Sequence, residues 1–99
     1  MIVIAGTTAV KPERREEAMR AALAMARATR AESGCLAYRF YADLEDPNTF
    51  FVFESWETEE ALARHFQTEH MQQFRQRLPA LLAAPPAITR YLVTSAAPM

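Results

Sequence analysis

A ferredoxin-like α+β fold, a four-stranded antiparallel sheet with helices on one face, is predicted by three features of this 99-residue chain. Strand-like and helix-like stretches alternate in the order β-α-β-β-α-β, the split βαβ arrangement. The two central strand-like stretches are separated only by a short polar turn and read as a hairpin. The length suits one core and therefore one domain, residues 1–99.

The elements follow in order. Ile2 to Val10 (IVIAGTTAV) is uncharged and rich in β-branched residues, the mark of a buried strand. Lys11-Pro12 punctuates, and Pro12 suits a first helical turn because its missing N–H is not needed there. From Glu13 to about Glu32, Met19, Ala22, Leu23 and Ala26 recur at i, i+3, i+4, i+7 spacing among arginines and glutamates, which predicts an amphipathic helix. Gly34 is its natural stop. Leu36 to Ala42 alternates, placing Leu36, Tyr38 and Phe40 on one face and Ala37, Arg39 and Tyr41 on the other. After the turn Asp43 to Asn48, Phe50 to Trp56 (FFVFESW) completes the hairpin. Thr58 is placed to cap a helix, with Glu59 and Glu60 complementing its dipole. The helical pattern runs to about Leu82, with Thr68 a point where it could break. Pro85-Pro86 ends it, and Ala87 to Ser95 (AITRYLVTS) reads as the last strand. Aromatics lie on both hairpin faces, Phe51 and Phe53 against Phe50 and Trp56. The uncovered sheet face therefore predicts a homodimer joined through the sheets.

Composition excludes several classes. Eleven basic residues against twelve acidic ones leave a formal charge of −1 with no basic block, so nucleic acid is not an expected partner. Met1 to Val10 lacks a basic flank and is too short to cross a bilayer, so neither export nor a membrane is expected. The single Cys35 fits a reducing cytoplasm. Gly6 and Gly34 are the only glycines, too few and too far apart for a P-loop or a dinucleotide fingerprint.

Chemistry concentrates in Ala63 to Phe74 (ARHFQTEHMQQF), which holds both histidines. On an unbroken helix His65 and His70 stand about 140° apart and do not converge. His65 and Glu69 are spaced to pair at i, i+4, but no third ligand is near in sequence, so no metal is expected. Leu62, Phe66, His70 and Phe74 form an apolar stripe, which puts His70 toward the core or a pocket and His65 on the flank. Spacing alone leaves open whether these are ordinary core and surface histidines. Trp56 suits the core or a substrate platform. Glu54, on the same face as Trp56, needs a wet cavity or a partner such as Arg39. Tyr38 and Tyr41 suit packing with free hydroxyls, and Cys35 a small buried hydrophobe.

The runs ESGCLAYRF (Glu32 to Phe40) and FESWETEEALARHFQTEHMQQF (Phe53 to Phe74) resemble the antibiotic biosynthesis monooxygenase superfamily, in particular its small quinol monooxygenases. The resemblance spans essentially the whole chain. It implies a dimeric α+β barrel and oxygenation of a small aromatic hydroquinone or phenol by O₂ without flavin, metal or haem. At the matching positions it implies His70 as base or oxyanion partner, His65 as supporting or alternative base, and Trp56, Phe66 and Phe74 as pocket walls. Tyr38 and Glu54 complete the expected substrate-binding set. The haem-degrading branch carries an Asn on the first strand, whereas the only Asn here is Asn48 in a turn. The polyketide-oxidising branch also uses an Asn, with other polar groups near the Trp, where this chain has Val52 and Leu62. An isomerase of a phosphorylated signalling compound is similar around the two histidines; it would require a phosphate site, to which Arg39 with Arg64 could contribute. A dimeric ligand-binding or stress protein on the same scaffold is the non-catalytic alternative.

Overall fold

The computed structural model describes residues 1–99. Its elements are β1 (Ile2–Ala9), a 3₁₀ turn (Pro12–Arg14), α1 (Arg15–Arg30), β2 (Cys35–Ala42), β3 (Thr49–Trp56), α2 (Glu59–Phe66), α3 (Glu69–Leu81) and β4 (Ala87–Leu92). The strands form one antiparallel sheet in the order β2-β3-β1-β4, which is the ferredoxin-like arrangement. β1 is uncharged because it is central, flanked by β3 and β4. Gly6 is required where β1 meets β4: a Cβ there would stand 2.2 Å from the Ala87 carbonyl oxygen. No helix is long and apolar enough to cross a membrane.

The helices cover one face of the sheet. Ile2, Tyr38, Val52 and Trp56 from the strands pack with Met25 and Ala26 of α1 and with Ala61 and Leu62 of α2. A second cluster joins Val10, Ala18, Ala21, Phe50 and Leu81. The buried stripe of α1 is Ala18, Ala21, Ala22, Met25, Ala26 and Thr29, which keeps helical spacing but sits off the predicted line. Met19 and Leu23 are consequently exposed. On β2 a bulge between Cys35 and Ala37 resets the alternation. Leu36 is therefore exposed, while Tyr38 stays in the core. The opposite sheet face leaves Tyr41, Phe51, Phe53 and Tyr91 open.

The second helical stretch is two helices. Thr68 takes an extended conformation (φ −70°, ψ 151°) and caps α3, its hydroxyl accepting from the Met71 N–H at 3.3 Å. The same hydroxyl donates to the His65 carbonyl at 2.7 Å, satisfying the end of α2. One side chain thus ends one helix and begins the next. The change of direction decides where the histidines point.

Candidate active site

A cavity of about 130 Å³ lies between the sheet and the α1–α3 layer. Its walls are apolar: Val10, Phe40, Phe50 and Ile88 contribute on the sheet side, Ala18 and Ala22 from α1, and Met71, Phe74, Leu78 and Leu81 from α3. An apolar cavity of about 150 Å³ accommodates benzene, so this space suits one aromatic ring. Only Thr8, Tyr38 and Glu54 bring polar side chains to it.

Glu54 reaches the cavity because β3 alternation turns it inward with Val52 and Trp56. Its carboxylate accepts a hydrogen bond from the Trp56 indole N–H at 3.0 Å. Burial pushes its pKa up to about 7; the Trp56 bond opposes that rise and the Glu32 charge adds to it. Arg39 is not its partner. Tyr38, not Arg39, stands opposite Glu54 in the strand register, and Arg39 opposite Phe53 is exposed. Burial, aided by the Glu54 charge, raises the Tyr38 hydroxyl far above its usual range, so it remains a proton-bearing donor. The Cys35 thiol is also raised, chiefly by burial, the opposite of an activated nucleophile.

The histidines meet elsewhere, on a residue that sequence spacing does not single out. Glu32 Oε2 lies 2.8 Å from His65 Nδ1 and 2.6 Å from His70 Nε2. The break at Thr68 rotates α3 relative to α2, so the expectation that the rings diverge is overturned, and Glu32, distant in sequence, supplies a third donor atom. The assigned settings are reversed as well. His65 is 1% exposed and His70 is 29% exposed. Glu69, expected to pair with His65, instead accepts from Gln73. Burial lowers the His65 pKa against the opposing pull of Glu32, which favours its neutral form.

Glu32 is delivered by the turn after α1. Gly34 adopts φ +85° there, and a Cβ on it would stand 2.5 Å from the Ala61 Cβ of α2. The Gly34 carbonyl accepts from the Glu57 N–H at 2.8 Å, which pins this turn beside the start of α2.

Trp56, fully buried, links the two regions: its ring packs against His65, tilted by 37° at 4.8 Å between centroids, while its N–H holds Glu54. Of the residues expected in a site, the cavity gathers Tyr38, Glu54 and Phe74. Trp56 supports it from behind. His65 and His70 do not line it, and His70 instead borders a shallow groove with Met25, Gln73 and Arg77. Phe66 lies outside, under the Arg75 guanidinium at 5.9 Å.

The model of the family described as antibiotic biosynthesis monooxygenase matches residues 1–77. YcnE of Bacillus subtilis, provisionally named a monooxygenase, is 37% identical over 90 residues, covering 91% of this chain and 95% of that protein. The uncharacterized protein sll1783 of Synechocystis is 39% identical over 92 residues, 93% of this chain. This chain spans only 63% of the length of sll1783. Among solved structures, Rv0793 of Mycobacterium tuberculosis superposes with a TM-score of 0.90 at 26% identity, covering 98% of both chains.

Proposed function

Because this chain belongs to the antibiotic biosynthesis monooxygenase family, we propose that it is a monooxygenase oxidising a small single-ring hydroquinone or phenol with molecular oxygen. The observation that carries this reading is a ring-sized apolar cavity bearing one carboxyl group whose pKa is raised to about 7. A phenolic hydroxyl ionises near 10, so an ordinary carboxylate is a poor base for it and Glu54 a better matched one. Tyr38 donates to the oxygen that becomes negative. The apolar walls exclude water from the electron-rich ring once it is deprotonated.

The ring then reduces O₂ directly. One oxygen atom enters the ring and the other leaves as water, so a hydroquinone becomes a hydroxyquinone and supplies every electron itself. Glu54 takes the hydroxyl proton and returns it toward the departing oxygen. In this reading the histidines act behind the cavity, and Glu54 replaces His70 as the base. The phosphorylated-compound isomerase loses support, because Arg39 and Arg64 are exposed and no cation lines the cavity.

We further place the protein in the cytoplasm as a homodimer joined through the open sheet face, where Phe51, Phe53 and Tyr41 would find cover. Oxygen uptake by chelator-treated protein with hydroquinone, methylhydroquinone and naphthols tests the reaction. Uptake above autoxidation, greatest with the single-ring compounds, is expected. Equal or greater uptake with two-ring compounds would contradict the assignment of this cavity.

A further inference from the structure

We infer that Glu32, His65 and His70 form a binding site for one divalent transition-metal ion of the zinc or cobalt type. This goes beyond the reaction proposed above and does not depend on it. Two imidazole nitrogens and a carboxylate oxygen converge here from three separate segments: the turn after α1, α2 and the first turn of α3. The three donor atoms all lie within 4.8 Å of one another. A tetrahedral ion bonded at about 2.0–2.2 Å to nitrogen and oxygen sets its ligands roughly 3.3 Å apart. The oxygen therefore has to withdraw by roughly half an ångström from each nitrogen, and the two nitrogens approach one another, adjustments on the scale of side-chain torsions.

The donor set is specific in kind. Two histidines and one carboxylate suit zinc, cobalt or iron(II), and do not suit calcium or magnesium, which take oxygen ligands. Three protein donors leave a coordination position free, and the partial exposure of His70 gives that position access from solvent. His65 is buried and packs in a tilted contact against the Trp56 ring, which restricts one ligand before an ion arrives. A bound ion would pin the turn after α1 to both later helices and stiffen Trp56, the residue that holds Glu54.

The sole tryptophan provides the readout. Chelator-stripped full-length protein is titrated with Co²⁺ alone, following Trp56 fluorescence and the visible ligand-field bands, then with Zn²⁺ as competitor. Saturable quenching at one ion per chain is expected, with Zn²⁺ restoring the fluorescence. Glu32→Gln and His70→Ala should each weaken binding at least as much as loss of an outer-shell partner does, about 10–100-fold. Glu69→Gln, which changes a neighbouring carboxylate outside the cluster, should bind as wild type. Circular dichroism confirms that each variant is folded. Absence of stoichiometric quenching, or unchanged binding in folded Glu32→Gln and His70→Ala proteins, would overturn the site. Loss of binding in Glu69→Gln but not Glu32→Gln would overturn the ligand assignment.

Discussion

Replacing Glu54 with glutamine isolates the energetic cost of holding a carboxylate against the cavity. Glutamine keeps the shape and an acceptor oxygen for the Trp56 indole N–H, so packing is disturbed little. The titration disappears. In the wild type the carboxyl pKa rises from an ordinary 4.5 to about 7, because burial penalises the charge. A raised pKa means that the folded state binds the proton more tightly than the unfolded chain does. Its stabilising contribution is complete below about 4.5 and is lost as pH climbs through about 7. At 1.36 kcal/mol per pH unit the gap corresponds to about 3 kcal/mol. His65 acts in the opposite sense, since its lowered pKa favours the fold above its unfolded value and costs stability in acid. Comparing the two proteins cancels that contribution. Urea unfolding followed by Trp56 fluorescence, at fixed protein concentration because dimerisation would shift the midpoint, should show a clear trend. The unfolding free energy of wild type minus that of Glu54→Gln falls by about 3 kcal/mol between about pH 4 and pH 8. A difference that stays flat with pH, or that grows, refutes the claim that Glu54 is buried with a raised pKa.

Other perturbations probe the scaffold. Gly34→Ala forces a side chain into φ +85° and against the Ala61 Cβ; it should cost at least about 2 kcal/mol, seen as a lower thermal midpoint. Thr68→Ala removes the group that joins two helix ends and should cost about 1 kcal/mol by chemical denaturation. Leu78→Ala deepens the α3 wall of the cavity and should shift oxygen uptake from single-ring toward two-ring substrates. Phe51→Lys with Phe53→Glu puts charges on the open sheet face and should convert a dimer to monomer in sedimentation velocity.

Much of the fold was legible because its periodicities are strong. Strand alternation turns Glu54 inward beside Trp56, whereas the pocket walls were expected only from the family resemblance. The misplacements are local and have physical causes. A bulge at Cys35–Ala37 leaves Leu36 unpaired and exposed, and the apolar alternation of Leu36, Tyr38 and Phe40 hides that inserted residue. Of Met19, Ala22, Leu23 and Ala26, the expected apolar line of α1, Ala22 and Ala26 are buried but Met19 and Leu23 are exposed, because the buried stripe is shifted onto Ala18, Ala21 and Met25. The histidine cluster was the hardest part to see. Its third member is 33 and 38 residues away in sequence, and convergence depends on the turn at Thr68 combined with the left-handed Gly34. Both residues were visible as punctuation, but the angle between two helices cannot be read from punctuation. Glu32 lay within the run that resembles the family, and only its role was hidden.

In the proposed reaction a cavity carboxylate, and not a histidine, removes the substrate proton. The most direct test is the pH dependence of ¹⁸O incorporation from labelled O₂ into a single-ring hydroquinone, for wild type and Glu54→Gln. One labelled atom in the product is expected, with a wild-type rate that rises as pH passes through about 7 and is lost in the glutamine variant. Label incorporation that persists at the wild-type rate in folded Glu54→Gln protein would contradict it.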